Sequence, residues 1–288
     1  MIIGLLIVKN EQAVLQRCID HWSKVVDRFF ILDTGSSSRD YLYLLKSSVP
    51  FNYYCTTYDK FHFDVARNDC IDYAMREGAS DGDYFVFIDA DDVLPEGFKF
   101  PELTKDVYAV NYRTSPTTSH IHHRIWRAGL KLRYKGAVHE FLDIKWDKHS
   151  VETLPLEVIH LPVVAQNKDP NRNLNILISN RNTMRELFYT GNELKDHGRF
   201  DEACIYWEHY INRAKFEATW HEELMCCYWR LARYTKDKDK ALSICREGLS
   251  KFPNCAELHG EVAYRNGQKY VATIKWFNHL FGEKWFYV

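Results

Sequence analysis

Tyr84-Phe85-Val86-Phe87-Ile88-Asp89-Ala90-Asp91-Asp92 is the stretch that decides how this chain is read. An unbroken apolar run leads directly into three carboxylates. A short run of this kind fits a strand covered on both faces of a sheet. Carboxylates crowded at its end repel one another unless a cation offsets them, and hard divalent ions such as Mg²⁺ or Mn²⁺ prefer oxygen ligands. Mg²⁺ commonly takes one or two carboxylates and completes its shell from substrate phosphates. Asp-x-Asp at a strand end therefore suits a metal–diphosphate site, against the plainer reading of an acidic turn that caps the next segment.

Upstream, apolar strands alternate with amphipathic helices. Ile2–Val8 reads as a buried strand, and Asn10 is placed to cap a helix with apolar positions at Val14, Leu15, Cys18, Ile19 and Trp22. Phe29–Leu32 is a second strand, ending in Asp33-Thr34-Gly35-Ser36. A short helix over Tyr41–Leu45 and a third strand, Phe51–Cys55, follow. Asp64 is placed to cap a helix that buries Ala66, Cys70, Ile71 and Ala74, before the fourth strand at Tyr84–Ile88. Such alternation predicts an α/β domain with a mostly parallel, doubly wound sheet. Ligands bind beyond the carboxyl ends of strands in such sheets. Lys9-Asn10-Glu11, Asp33–Ser36 and Asp89–Asp92 all fall there.

Downstream, shorter β-like pieces appear at Val107–Tyr112, Ile121–Trp126 and Leu156–Leu161. The segment Arg133-Tyr134-Lys135-Gly136-Ala137-Val138-His139-Glu140 is dense in functional side chains. Gly136 lets a loop pass close to a ligand, and Glu140 beside His139 offers a general base with a neighbour able to orient it. His160 ends an apolar strand and is either a metal ligand or a core histidine. Arg67 and Asn68 offer a cation and an amide to the same crevice, or are simply solvated helix residues.

Polar, Pro-containing residues 165–175 mark a boundary, giving domains 1–165 and 166–288. The second is helical and weakly repetitive. Helices open near Gly198, Asp237 and Gly267, and Ala203, Ala241 and Ala272 recur 38 and 31 residues apart, with Pro253 closing one helix. The pattern is that of degenerate tetratricopeptide (TPR-like) repeats, in which small residues allow close helix crossing. The aromatic stretch Trp276–Val288 is expected to cap them.

Bulk properties narrow the classes. Hydrophobic residues make up 46% of the 288 and charged residues 27%, as in an ordinary globular protein. A formal net charge of −1 gives no electrostatic case for nucleic acid or an anionic membrane as partner. Aromatics at 15% suit sugar-stacking or helix-packing surfaces. The eight cysteines form no CxxC framework, and no run reaches the roughly 18 to 20 apolar residues of a spanning helix. A soluble, cytoplasmic protein is expected.

Taken in order, Val8-Lys9-Asn10-Glu11, Leu32-Asp33-Thr34-Gly35-Ser36, Ala66-Arg67-Asn68 and Phe87-Ile88-Asp89-Ala90-Asp91-Asp92 resemble the signature of family 2 glycosyltransferases with the GT-A fold. The block Tyr134–Glu140 resembles the glycine loop and xED-type base motif of that fold. The resemblance is closest to a subgroup with C-terminal helical repeats that includes bacterial peptide S-glycosyltransferases. It implies a metal-dependent, inverting enzyme that moves a sugar from a nucleoside-diphosphate donor, UDP by preference, to a glycan, peptide or small-molecule acceptor. Asp33 would contact the base, with Val8, Asn10, Glu11, Thr34 and Gly35 framing the nucleoside. Asp89 and Ala90 would lie near the ribose, with Arg67, Asn68 and Gly136 lining the donor site. Asp91 and His160 would hold Mn²⁺ or Mg²⁺, and Glu140 would be the base, with His139 and Asp143 as alternatives. The sequence departs from many relatives in having His-Glu for Glu-Asp, and Asp92 for Glu.

Two other readings compete. A nucleotidyltransferase would share the α/β architecture, but such enzymes carry a Gly-rich, basic loop after the first strand, where this chain has Lys9-Asn10-Glu11. A non-enzymatic repeat protein would leave Asp91, His139, Glu140 and His160 without a purpose. In either case the repeats are candidates for acceptor recruitment or self-association.

Overall fold

The computed structural model describes residues 1–116, 118–163, 169–179 and 183–268. The chain divides into two compact units, Met1–Asp169 and Pro170–Val288. The boundary expected at 165–166 lies outside the described residues, as do the aromatic stretch and all of the helix expected at Gly267 beyond Gln268. Among the described residues no helix is long and apolar enough to cross a membrane.

The first unit runs β1 (Ile2–Val8), α1 (Leu15–Trp22), β2 (Arg28–Asp33), α2 (Asp40–Leu44), β3 (Phe51–Cys55), α3 (Phe63–Arg76), β4 (Tyr84–Phe87), β5 (Asp92–Val93), β6 (Val107–Ser115), β7 (Thr118–Arg127), β8 (Tyr134–Lys135), β9 (Phe141–Leu142) and β10 (Val151–His160). Eight strands form one sheet in the order β3-β2-β1-β4-β7-β6-β10-β5, while β8 and β9 pair separately. Strands β3, β2, β1 and β4 are parallel, as the strand–helix alternation predicts. The sheet as a whole is mixed, because β7 runs antiparallel to both β4 and β6, and β5 antiparallel to β10. This is a Rossmann-like α/β unit in which a parallel half, β3-β2-β1-β4, is extended by a mixed half, β7-β6-β10-β5.

Two cores cover the sheet, one packed under α1 around Trp22 and Phe29, the other under α3 around Phe85 and Trp126. Gly4 is required by β1's neighbours, since a Cβ there would lie 2.6 Å from Phe29 Cδ1. Neither expected helix cap forms. Helix α1 starts at Leu15, and Asn10 adopts a left-handed φ of 58° in the loop before it. The N-cap of α3 is His62, which leaves the Asp64 carboxylate for another purpose.

The second unit stacks α4 (Arg172–Ile178), α5 (Met184–Asp196), α6 (Phe200–Arg213), α7 (His221–Tyr234), α8 (Lys238–Lys251) and α9 (Ala256–Arg265). Thr183 and Glu186 form a capping box on α5, and Asp237 caps α8 by accepting from Lys240 N. Ala203 and Ala241 are fully buried within α6 and α8, and α8 stops two residues before Pro253.

Candidate active site

The acidic loop hangs from the carboxyl end of β4 and is gripped by its own backbone. Asp92 N donates to Asp89 O, and Asp89 N donates to Asp92 Oδ2, each at 3.0 Å. From α1, Trp22 Nε1 donates to Asp92 O at 3.2 Å. Asp92 is fully buried and Ala90 nearly so, whereas the Asp89 side chain keeps 26% of its exposure.

Two buried arginines offset the carboxylates. Arg67, from the first turns of α3, reaches Asp89 Oδ1 at 3.0 Å. Arg124, from β7, forks between Asp89 Oδ2 at 2.7 Å and Asp92 Oδ2 at 2.9 Å. Burial would push Asp89 up, but Arg124 and Arg67 hold it well below the usual carboxylate range. Arg124 owes its aim to a β-bulge. Pairing of β7 with β6 steps from His123↔Ala109 to Ile125↔Tyr108, so Arg124 is the extra residue, and bulges of this kind re-aim a side chain.

His160 arrives from the far end of the chain. Strand β10 runs antiparallel to β5 with His160 opposite Asp92, and Leu161 N donates to Asp91 O at 3.0 Å. His160 Nδ1 lies 3.2 Å from Asp91 Oδ1 and 3.3 Å from Asp92 Oδ1. Hydrogen bonds to Asp91 and Asp92 raise its pKa to about 10, so in this form its positive charge offsets the pair. The Tyr112 hydroxyl braces the group, 2.7 Å from Asp92 Oδ1 and 2.8 Å from His160 Nδ1. Asp91, Asp92 and His160 each offer one ligand atom, all within 4.8 Å of one another. Two carboxylates and an imidazole fit a divalent ion such as Mn²⁺, with Mg²⁺ the harder alternative, and His160 must give up its proton to ligate.

At the other end of the network, Arg67 Nε donates to Glu140 Oε1 at 2.6 Å. The loop carrying Glu140 is pinned to the start of α3. Gly136, at φ +107°, donates its N–H to Asp64 Oδ2 at 3.0 Å, and Phe63 N donates to Ala137 O at 2.9 Å. Asn68 spans the backbone of Tyr134, donating to its carbonyl at 3.0 Å and accepting from its N–H at 2.9 Å. Its amide is thus committed to holding β8 against α3. His139 is exposed, with a left-handed φ of 52°. Asp143 lies apart from this network, 2.7 Å from Lys135 and 3.0 Å from Lys145, which hold it below its ordinary pKa.

The loops after β1 and β2 are knitted together. Thr34 donates its N–H and its hydroxyl to Val8 O at 2.9 and 3.1 Å. Asn10 donates to Ser36 Oγ, and its side chain accepts from Ser37 N, both at 2.8 Å. Glu11 O accepts from Val14 N and Leu15 N, starting α1. Asp33 is fully buried, and its Oδ1 accepts from Gly35 N and Ser36 N at 2.8 Å. Gly35 has φ +108°, the left-handed conformation this loop requires.

Tyr112 and Arg124 have no counterpart among the residues singled out from the sequence. For Arg124 a signal existed: an arginine inside the strand pattern His-His-Arg-Ile-Trp is rarely buried without partners. Residues 5–121 match the family Glycosyl transferase family 2. No curated protein matches the chain. Similar solved structures include S. aureus TarS 1–349 in complex with UDP-GlcNAc, 10% identical over 93% of this chain and 92% of that one, with a TM-score of 0.45. S. aureus TarS 1–349 has the same identity and coverage at a TM-score of 0.38. The matched span takes in the end of β1, all of β2 to β4, Arg67 and the whole acidic loop, so much of the candidate site lies in the part of the chain that is similar to family 2 glycosyltransferases.

Proposed function

We propose that this chain is a glycosyltransferase, metal dependent and inverting, that moves a sugar from a nucleoside-diphosphate donor, UDP by preference, to a hydroxyl or thiol of a glycan, peptide or small-molecule acceptor. One observation carries the reading. Side-chain contacts run unbroken from Glu140 through Arg67, Asp89, Arg124 and Asp92 to His160 and Asp91. A candidate base and a candidate metal cluster thus belong to one polar network, as transfer across a short distance requires.

In this reading Val8, Asn10, Glu11, Thr34 and Gly35 frame the nucleoside. Asp33 recognises the base with Oδ2, whose one partner among the described residues is the Tyr41 hydroxyl at 3.5 Å, since the loop amides occupy Oδ1. Asp89 and Ala90 adjoin the ribose. Asp91 and His160, joined by Asp92, hold Mn²⁺ or Mg²⁺, which when bound would neutralise charge on the departing diphosphate. Arg67 orients Glu140, with Asn68 and Gly136 positioning the two elements that carry them. Glu140 takes the proton from the acceptor O–H or S–H. The acceptor atom bonds to the anomeric carbon as the bond from that carbon to the diphosphate oxygen breaks, and the electron pair leaves with the nucleoside diphosphate. Attack opposite the leaving group inverts the anomeric centre. His139, next to Glu140, is a neighbour able to orient that base. The helical unit is assigned to acceptor recruitment or self-association. All eight cysteines are free thiols, which supports a reducing, cytoplasmic setting.

The test is turnover of Asp91→Ala and Glu140→Gln, followed by release of nucleoside diphosphate. Each variant is expected to lose about 100-fold or more in kcat while keeping the parent's circular dichroism. Parent-like turnover in either variant would remove the role given to that residue.

A further inference from the structure

We propose that His122 is a sugar-binding residue, hydrogen-bonding the hydroxyl or amide substituents of the transferred sugar. The inference rests on the donor reading above and extends it from the nucleotide to the sugar. His122 lies on β7, and its ring stacks on Tyr112 with centroids 4.8 Å apart and planes 27° apart. The Tyr112 hydroxyl is the one that braces Asp92 and His160, so His122 sits one ring away from the candidate metal cluster. The charges of Arg124, Asp89 and Arg67 all reach its imidazole. Those three side chains form the middle of the network between Glu140 and Asp91, where the carbon undergoing exchange must lie if the two ends act as proposed.

Among the described residues the His122 ring makes no hydrogen bond, although it is only partly exposed. Burial, and Arg124 beside it, push its pKa down to about 3, so the ring is neutral. A neutral imidazole donates from one nitrogen and accepts at the other. A sugar hydroxyl also does both, which makes the pair complementary. The stack on Tyr112 holds the ring plane in advance of binding, so little freedom is lost when the contact forms.

The experiment measures Kd for UDP and for UDP-GlcNAc, UDP-glucose and UDP-galactose, each with Mn²⁺, on the parent, His122→Phe and His122→Gln. Phenylalanine keeps the stack and removes the ring nitrogens, whereas glutamine keeps a donor and an acceptor. His122→Phe is expected to weaken the preferred UDP-sugar about tenfold while UDP stays within twofold, and His122→Gln to recover most of the loss. Parent-like affinity for every UDP-sugar in His122→Phe would overturn the proposal and leave His122 as a brace for Tyr112. Equal weakening of UDP and UDP-sugars would also overturn it, by assigning His122 to the nucleotide. If the parent binds none of the four ligands, the donor reading itself fails and the proposal goes with it.

Discussion

Arg124 shows how much a single side chain decides in this site. It neutralises a fully buried Asp92 and half of Asp89 at once, through two hydrogen bonds under 3 Å. Removing one partner of such a pair leaves the other buried without compensation, which costs about 3–5 kcal/mol. Arg124→Met keeps much of the volume and loses the charge, so it is expected to lower unfolding stability by about that amount in urea titrations. A change below about 1 kcal/mol would mean that Asp92 finds another counter-charge or takes up a proton. The carboxylates themselves were legible in the sequence, because Asp89 and Asp91 follow an apolar run. Arg67 was legible too, as a cation offered to the same crevice, but the partners of Arg124 were not. Nothing local in His-His-Arg-Ile-Trp says that a bulge turns Arg124 toward residues 35 and 32 positions away.

At the scale of elements, helix packing in the second unit depends on absent side chains. Gly191 lies inside α5, where alanine is ordinarily better by about 1 kcal/mol. A Cβ there would sit 2.5 Å from Trp207 Nε1 and 2.8 Å from its Cδ1. Trp207 is fully buried and donates to Asn192 Oδ1, so it has little room to yield. The clash outweighs the propensity, and Gly191→Ala is expected to cost about 1–3 kcal/mol. Thermal unfolding followed at Trp fluorescence checks this, and a raised Tm would show that α5 and α6 can separate cheaply. The sequence reading anticipated small residues at crossings through Ala203 and Ala241. It passed over Gly191, since an isolated helical glycine looks the same whether it packs or merely weakens the helix. Capping was read unevenly for a related reason. Asp237 caps α8 as an N-cap carboxylate should, while Asn10 and Asp64 were drawn to partners in other loops, Ser37 and Gly136.

For the molecule as a whole, the proposed donor and metal should be linked through one equilibrium. A ligand that binds only the folded state stabilises it by about 2.7 kcal/mol at 100 times its Kd. For a protein of this size that corresponds to a Tm rise on the order of 5–10 °C. UDP with Mn²⁺ is expected to give such a shift, and UDP with EDTA a clearly smaller one. Identical shifts with and without chelator would remove the cation from the donor site.

What the sequence determined alone was whatever depends on neighbours along the chain. Apolar runs and helical spacing specified β1 to β4 and α1 to α3, and strand ends specified where the polar clusters Asp33–Ser36 and Asp89–Asp92 would gather. The tertiary structure decided the rest. His160 becomes a partner of Asp92 only because β10 pairs antiparallel with β5, bringing together side chains 68 positions apart. Glu140 meets Arg67 across 73 positions of chain, and through Arg67 it joins Asp89. The reason is that strand order, register and bulges are set by long-range pairing and burial, and those energies belong to contacts between segments rather than to either segment alone.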